Sequence, residues 1–507
     1  MYQLWYRVKT KFLNINRYGL YSKHPVMPLH TTQQQLLISH GTCSNGKSFN
    51  FLNSTHVFEQ TVDWNFNGNG KLWNYNLQYF DYLFEPLLNE PIKQQLIIDF
   101  ATQLLQNKVK PEPYPVSLRL MNWIIYTSQS GLSNPVVEKA LKLQVHYLEN
   151  NLEHHIQANH LLENYFSLSV AALYLQDAKL TKKAWLGLQK QLQEQVLNDG
   201  AHYECSPMYH SIILSRLLLL LDILKNNKYS FFEIEMLENI AAKMLGWLQA
   251  FCFNNKSWAH CNDATEGIVI DTPTLFNVAA AMKIPVAAVS LSASGYRRLS
   301  NTKFDVLFDA GDIIPAYQPG HAHSDMLQVV ININDQPFLV DRGTSTYEAN
   351  TLRLQERSTS AHNTVTINNN NQSAVWSSFR VARRAKILSV ASSMKQCKAA
   401  HNGYLYKGVV HERSIHIAEN RFEIIDILRG SKANLTAEAH FHFDHSVKPV
   451  VNTNMVNTNK GVAVLFSGHQ SIELFSYQQA LGFNKRVESY KLVVRFNQQL
   501  ITQFEAA

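Results

Sequence analysis

The hydrophobic periodicity of the chain changes once, close to residue 295, and this change constrains the fold more than any other feature. Between residues 76 and 284, apolar side chains recur at intervals of three and four, as at Leu237, Ile240 and Met244. This spacing predicts amphipathic helices, roughly nine or ten of them. The clearest cover residues 91–108, 115–128, 160–176 and 179–197. Many antiparallel helices in series predict stacked hairpins or an (α/α) toroid, complete or incomplete.

After residue 300 the chain consists of short runs rich in Val, Ile, Phe and Thr, separated by turn residues. This pattern predicts an antiparallel β-sandwich. The runs cover residues 303–309, 326–333, 337–341, 363–368, 408–417, 421–428 and 461–476. The polar stretch 451–459 is predicted to be a long surface loop. We therefore expect an α+β multidomain protein, with a helical toroid domain at 1–290 and a β-sandwich domain at 300–507.

The net charge of +7 and the pI near 8.9 favour an anionic partner. Nucleic acid, a membrane surface and an acidic glycan all fit that charge. The longest basic group is Arg383-Arg384 with Lys386, which argues against nucleic acid. The most apolar stretch, 212–224, contains Arg216 and Asp222 and is too short to span a bilayer. We therefore expect a buried helix there and no membrane span.

The five cysteines are odd in number and scattered, which argues against a disulfide framework or a cysteine-built zinc site. The N-terminal segment 1–24 is basic and aromatic but lacks the continuous apolar core of a signal peptide. A cytoplasmic location is the expectation on that ground, with the periplasm or secretion as the alternatives.

The helical half contains a polar cluster at residues 158–164. Helical spacing puts His160, Glu163 and Asn164 on one face, with Asn159 at its edge. Buried polar groups need partners, because each unpaired one costs about 1–3 kcal/mol. The cluster is either a hydrogen-bond network between helices or part of a functional site.

A second polar segment, 199–210, ends at a predicted helix start. Ser206 is a suitable N-cap and Pro207 a suitable first residue, so a helix is expected from here through Leu224. Tyr209 would lie in its first turn, where the helix dipole favours a phenolate. Tyr209 is therefore a candidate general base, or alternatively a tyrosine that only bonds across a helix junction.

A third segment carries His321 and His323 immediately before a predicted strand, so both side chains point to the same side. The turn at 334–335 predicts a hairpin that returns Asp341 toward His323, and His362 precedes a further strand. Two histidines and one aspartate with an open position would suit Zn²⁺. Chance occurrence of His-x-His in a chain with 21 histidines is the competing explanation.

Several long strings resemble the heparinase II/III-like polysaccharide lyases over most of the chain. The β-half strings are Gly320-His-Ala-His-Ser-Asp325, Phe338-Leu-Val-Asp-Arg-Gly-Thr-Ser-Thr-Tyr347 and Arg357-Ser-Thr-Ser-Ala-His-Asn-Thr-Val365. In the helical half, residues 72–76, 79–82, 113–119 and 206–210 are similar to the family, as are Asn159-His160 with Glu163. The resemblance implies an (α/α) toroid followed by an antiparallel β-sandwich, and cleavage of a uronate-containing acidic polysaccharide by β-elimination.

The resemblance also implies roles for single residues. Tyr209 matches the catalytic tyrosine and His321 the catalytic histidine, while Asn159 and His160 match the pair that neutralises the uronate carboxylate. The residues that match zinc ligands, of a site that would be mainly structural, are His323, Asp341 and His362. The residues expected to contact substrate are Glu163, Arg119, Trp123 and Arg380, for each of which ordinary packing or a solvated charge is the alternative.

Two other classes of function remain open. A toroid-type glycoside hydrolase would need two acidic groups flanking the bond, about 5–10 Å apart. Glu163, Glu204, Asp263 and Glu266 are the candidates. A glycan-binding or assembly protein could keep the fold without catalysis. The sequence does not identify the polymer, the choice of endo or exo cleavage, or the oligomeric state.

Overall fold

The computed structural model describes residues 24–37, 40–229, 232–430 and 435–506. The N-terminal segment on which the expectation about a signal peptide rests lies largely outside these residues. The helices of the described chain are α1 (Lys71–Tyr79), α2 (Glu90–Leu105), α3 (Pro113–Ser130), α4 (Pro135–Asn150), α5 (Ala158–Tyr174), α6 (Ala178–Gln195), α7 (Pro207–Asn226), α8 (Ile234–Phe251), α9 (Thr272–Ala281) and α10 (Thr351–Glu356).

The helices begin where the sequence provides capping groups. The Asn134 side chain accepts hydrogen bonds from the first turn of α4, and Asp177 does the same for α6. Helices two positions apart pack on each other, α1 on α3, α3 on α5 and α2 on α4, and the neighbours α5 and α6 also pack together. This is the packing expected of helix pairs in series.

Among the described residues, α7 is the one helix long and apolar enough to cross a membrane. Within its most apolar window, 89% of the residues are buried inside the protein. Arg216 and Asp222 interrupt that window. Both have partners inside the protein, since Arg216 bonds Glu163 and Asp222 accepts from the Thr31 and Thr32 hydroxyls. This is the environment of a core helix.

The strands form four antiparallel sheets. Three precede the helices and were not predicted: β1 (Thr42–Cys43), β2 (Ser48–Phe51) and β3 (Ser54–Val57). The others are β4 (Tyr296–Ser300), β5 (Phe304–Asp309), β6 (Val329–Ile333), β7 (Gln336–Leu339), β8 (Val365–Ile367), β9 (Ala374–Trp376), β10 (Arg380–Ala382), β11 (Ile387–Ser392), β12 (Gln396–His401), β13 (Val410–Ile417), β14 (Arg421–Arg429), β15 (Ala437–His442), β16 (Pro449–Val451), β17 (Met455–Thr458), β18 (Val462–Gly482) and β19 (Lys485–Ala506).

Two of these sheets enclose one hydrophobic core. The order of the smaller is β4-β5-β6-β7, and the order of the larger is β11-β12-β13-β14-β19-β18-β17-β16, with β15 joining β19 to β8. Rings from the two sheets meet in the core, since Phe304 lies 6.2 Å from Phe422 and Phe338 lies 6.2 Å from Phe504. The strand β14 alternates buried and less buried residues, which is the pattern that predicted a sandwich.

One local prediction is wrong, and the predicted runs also missed several strands, β4, β9–β12, β15 and β19. Residues 451–459 are not a long loop, because β16 and β17 pair there as a hairpin, with Val451 opposite Val456. The strand β19 was not predicted, although it is the central partner of β14, β15 and β18. Its many Gln, Lys and Arg residues hide the alternation of apolar and polar residues that would have predicted a strand.

The chain divides into two compact units. The first unit comprises the described residues of Met1–Val196, Ser211–Ala242 and Gly267–Pro285, and the second those of Leu197–His210, Lys243–Glu266 and Val286–Ala507. The second unit thus contains the strands β4–β19 together with two segments from the helical half of the sequence. The first turn of α7, which carries Tyr209, is in one of these segments.

Gly200 and Gly131 both adopt a left-handed backbone conformation but differ in the space that a Cβ would have. Both have positive φ, +87° and +68°, but a Cβ at Gly200 would lie 2.1 Å from the Lys243 carbonyl oxygen, while nothing lies within 4 Å at Gly131. We expect Gly131→Ala to cost about 1–2 kcal/mol from the left-handed conformation alone. Gly200→Ala should cost a further ~1–3 kcal/mol for the overlap. Urea denaturation of both variants measures the difference, and equal losses would contradict it.

Candidate active site

Tyr209 is held in the first turn of α7 by Ser206. The Ser206 hydroxyl accepts a hydrogen bond from the Tyr209 backbone N–H at 3.3 Å and donates to the Asp263 carbonyl at 2.7 Å. The predicted cap is therefore present, and it also ties the start of the helix to the segment that carries Asp263. The Tyr209 side chain is 8% exposed, and its ring centroid lies 4.1 Å from that of His321.

His321 is oriented by the buried carboxylate of Asp263. Its Nδ1 lies 2.8 Å from Asp263 Oδ2, and its Nε2 lies 3.7 Å from Glu204 Oε1. The other Asp263 oxygen, Oδ1, lies 2.9 Å from Nε2 of His323. A carboxylate on Nδ1 requires a proton there, which leaves Nε2 as the nitrogen able to exchange a proton.

Arg353 makes the burial of the Asp263 charge possible. The guanidinium donates from Nη1 and Nη2 to the two carboxylate oxygens, at 2.5 and 2.6 Å. Burial by itself would raise the pKa of Asp263, but Arg353 and the hydrogen bonds from His321 and His323 outweigh it and hold the pKa well below the usual value. Arg353 is placed by the short helix α10, whose N-cap Asn350 accepts from the Arg353 N–H at 2.9 Å.

Burial has the opposite effect on Tyr209. It raises the pKa of the phenol well above 10, and the neighbours Tyr347, Asp263 and Glu204 raise it further. The sequence predicted that the helix dipole would favour a phenolate at this position. In the structure the dipole acts against a larger burial penalty, so the phenol is the resting form.

The three predicted metal ligands lie together but do not form a ready-made cluster. His362 Nδ1 is 2.8 Å from Asp341 Oδ2, and the rings of His323 and His362 are 5.3 Å apart. Within the described residues, no group of three or more His, Cys, Asp or Glu has a geometry that could hold a metal. However, His323 Nδ1 and His362 Nε2 are buried without a hydrogen-bond partner. Two orphaned imidazole nitrogens are groups that fit a metal ion.

In the first unit, the predicted polar face of α5 belongs to a buried network. His160 Nδ1 lies 3.0 Å from Glu153 Oε1, and the Asn164 amide donates to Glu153 Oε2 at 3.0 Å. The His160 ring also stacks on Tyr114, with centroids 4.3 Å apart. Asn159, on the same helix, is 1% exposed. The interhelix network foreseen as the alternative is present, and it includes the candidate binding residue His160.

Glu163, on the same helix, pairs with Arg216. The distance from Arg216 Nε to Glu163 Oε1 is 3.1 Å, and Glu163 is fully buried. Burial raises the pKa of Glu163, while Arg216 opposes that rise.

The other predicted substrate contacts fall into two groups, buried residues and one exposed residue. Arg119 and Trp123 have no exposed surface. The Arg119 guanidinium donates to Gln144 Oε1 and to the Gln78 carbonyl and stacks on Phe100. A side chain without exposed surface cannot contact a polysaccharide, so the packing alternative applies to Arg119 and Trp123. Arg380, in β10, is exposed.

Sequence reasoning missed Arg353, Tyr347 and Glu153 as site residues. Arg353 lies in a six-residue helix with no motif of its own, and Glu153 precedes the recognised cluster. Tyr347 stands at the end of a recognised string, and its hydroxyl lies 3.1 Å from that of Tyr209. Asp263 was noted only as a candidate hydrolase carboxylate. The contacts of Asp263, Arg353 and Tyr347 span 58 to 138 residues of sequence, for which local spacing provides no signal.

Comparison with known proteins agrees with the fold. The sequence matches the models for the heparinase II/III N-terminus over residues 136–278 and for the heparinase II/III-like C-terminal region over residues 284–506. The chain belongs to the heparinase II/III-like family of polysaccharide lyases. No curated protein sequence matches it.

Solved structures show the same architecture. A heparinase III crystal structure superimposes with a TM-score of 0.74 at 14% identity, covering 97% of this chain and 89% of that one. A heparan sulfate lyase HepC mutant from Pedobacter heparinus gives 0.61 at 16% identity, covering 99% and 87%. These likenesses concern the fold alone. They confirm the predicted class, a helical toroid-type region followed by antiparallel sheets.

Removing Arg353 should destabilise the second unit. Arg353→Leu would remove the arginine partner of the buried Asp263 charge, and breaking a buried ion pair costs about 3–5 kcal/mol. Chemical denaturation of the variant beside wild type measures this. Arg429→Leu is the matched control, because Arg429 pairs with Glu412 at the surface and such pairs contribute little. A loss for Arg353→Leu as small as for the control would contradict the assigned role of the pair.

Proposed function

We propose that this protein cleaves a uronate-containing acidic polysaccharide by β-elimination, with Tyr209 and His321 as its proton-transfer groups. The observation that carries the proposal is their contact within the second unit. The phenol and imidazole rings lie 4.1 Å apart, and a buried carboxylate is bonded to the imidazole. The net charge of +7 suits an anionic polymer.

The chemistry requires a base, an acid and a partner for the substrate carboxylate. Removing the C5 proton of a uronate sends its electrons into a new C4–C5 double bond, and the C4–oxygen bond breaks. In this proposal Tyr209 takes the C5 proton, returns one to the departing C4 oxygen, or does both in a syn elimination. His321, through Nε2, takes the proton from the opposite epimer.

The remaining predicted residues have binding roles in this proposal. Asn159 and His160 bind the uronate carboxylate and stabilise the enolate-like charge that develops on it. The carboxylate of Glu153 on Nδ1 fixes the ring of His160 for that task. The exposed Arg380 is a further substrate-contacting candidate, whereas Glu163 is fully buried and pairs with Arg216.

Zinc is part of the proposal as a structural ion. His323 and His362 would hold it through their orphaned nitrogens, together with Asp341. When bound, the ion would supply a fixed cross-link for the loop that carries His321, not Lewis-acid catalysis. The Asp263 bond to His323 would then act as the outer-shell contact that orients this ligand.

The hydrolase alternative has less support from the same geometry. Asp263 is bonded to Arg353 at both oxygens, and its low pKa makes it a poor proton donor. Glu204 is the remaining carboxylate beside His321, so the acid pair that hydrolysis requires is incomplete in this cluster. A glycan-binding role without catalysis would leave the Tyr209–His321 contact without a use.

Purified protein incubated with a panel of uronate polysaccharides should increase the ultraviolet absorbance of the conjugated C4–C5 alkene. Tyr209→Phe should lower the rate on the order of 10²–10⁴-fold, because it removes the proton-transfer oxygen and keeps the ring. Tyr477→Phe is the matched control. The Tyr477 hydroxyl donates to the Phe443 carbonyl, and the Ser489 hydroxyl donates to the same carbonyl. Removing the Tyr477 hydroxyl therefore leaves that carbonyl with a hydrogen-bond partner.

The outcomes separate the three functions. Alkene absorbance that Tyr209→Phe removes and Tyr477→Phe retains supports elimination. New reducing ends without that absorbance would replace the lyase by a hydrolase. Binding to a polymer without either product would indicate a glycan-binding protein.

Metal analysis tests the zinc proposal without any activity assay. Protein purified from zinc-supplemented medium should contain stoichiometric zinc, and a chelator should lower its melting temperature. His362→Asn should lose the metal, because it removes one of the two orphaned nitrogens. His445→Asn, at a half-exposed histidine, should keep it. A wild-type protein without zinc, or a His362→Asn variant that retains it, would refute the assignment.

A further inference from the structure

Tyr347 lies against the tyrosine to which the proposed reaction assigns proton transfer. Its hydroxyl oxygen is 3.1 Å from that of Tyr209, and either oxygen can be the donor. Resting on the proposed function, we propose that Tyr347 is a positioning residue that donates its hydroxyl hydrogen to Tyr209 whenever the Tyr209 oxygen carries negative charge.

The surroundings of Tyr209 create the need for such a donor. The groups that face it in the second unit are Tyr347, His321, Asp263 and Glu204. Burial is the largest cause that raises the pKa of the Tyr209 phenol. The resting bond in which Tyr209 donates to Tyr347 raises that pKa too, as do the two carboxyl groups. Once the Tyr209 oxygen is charged it can no longer donate, and the Tyr347 hydroxyl, 3.1 Å away, can turn its hydrogen toward it. A donor bonded to a charged oxygen stabilises it more than it stabilises a neutral one.

The ring of Tyr347 is held in place from several sides. Phe483 packs edge-on at 4.9 Å and Phe379 at 5.3 Å, and the Arg353 guanidinium lies 5.0 Å from the ring centroid. The turn of the β18–β19 hairpin supplies Phe483, and the backbone N–H of Asn484 bonds the Ser345 carbonyl at 2.9 Å. The tip of this hairpin therefore fixes the loop that presents the Tyr347 hydroxyl to Tyr209.

The placement of Arg353 favours Tyr347 as the donor. Its guanidinium is bonded to Asp263 at both oxygens and still faces the Tyr347 ring. A cation over the ring makes the phenol hydrogen more positive and so a better donor. Arg353 thus binds the Asp263 carboxylate, which orients His321, and also packs on Tyr347, which bonds Tyr209.

The proton balance is the same for either role of Tyr209. As a base, Tyr209 gains the C5 proton, and Tyr347 stabilises the phenolate that exists before the transfer. As an acid, Tyr209 loses its proton to the C4 oxygen, and Tyr347 stabilises the phenolate that results. Tyr347 keeps its own proton throughout, so the step needs no additional reactant.

The competing interpretation is that the hydroxyl pair only joins two loops. In that case Tyr347→Phe would lower stability and leave the ionisation of Tyr209 unchanged. The substitution keeps the ring that packs on Phe483 and Phe379, so it removes little besides the hydrogen bond. The two interpretations therefore differ in a quantity that can be measured directly.

The test is a fluorine NMR titration of a fluorinated tyrosine incorporated at position 209, whose phenol is intrinsically more acidic. We expect Tyr347→Phe to raise its ionisation midpoint by roughly one to two pH units, because a hydrogen bond to a charged group is lost. Tyr477→Phe, which removes a buried hydroxyl elsewhere in the second unit, should leave the midpoint unchanged. An unchanged or lower midpoint in Tyr347→Phe would overturn the proposal.

A second variant covers the case in which Tyr347→Phe does not fold. The same fluorinated tyrosine at position 347 keeps both ring and hydroxyl and is a stronger donor, so the pH limb of kcat/KM that reports Tyr209 ionisation should move down. A limb that stays in place would contradict the proposal. The NMR titration needs no substrate. Absence of lyase activity with a shifted midpoint would therefore refute the proposed function and leave the Tyr347 assignment standing.

Discussion

The buried carboxylate of Asp263 is the interaction on which the arrangement of the second unit depends. It accepts two hydrogen bonds from Arg353 and one from each of His321 and His323, all within 2.9 Å. An isolated carboxylate at this depth would be protonated, and Arg353 is what keeps it charged. Because one group serves both histidines, the candidate catalytic ring and the candidate metal ligand are oriented together.

A carboxylate bonded to a histidine Nδ1 also occurs in the first unit. There the buried Glu153 carboxylate lies on Nδ1 of His160, and the Asn164 amide donates to its other oxygen. In both units a carboxylate fixes the ring of a candidate functional histidine through Nδ1. The carboxylates come from segments outside the recognised motifs, so the motifs alone describe only half of each pair.

The two longest strands, β18 and β19, also hold a loop of the candidate site in place. The β18–β19 hairpin lies in the middle of the larger sheet, and its tip reaches the loop that carries Tyr347. The Tyr347 ring, packed between Phe483 and Phe379, brings its hydroxyl to Tyr209. Burial opposes the ionisation of Tyr209. In the proposed role, Tyr347 offsets part of that penalty by donating to the Tyr209 oxygen once it is charged.

The sequence by itself determined the helical and β halves, the cap at Ser206 and the strings that identify the family, because periodicity, capping and motifs are local. It also named Tyr209 and His321. Only the tertiary structure decided that Arg119 is a core residue and that Asp263, Arg353 and Tyr347 lie at the candidate site. These contacts join residues 58 to 138 positions apart, and their distances follow from how sheets and loops pack, which no spacing in the chain encodes.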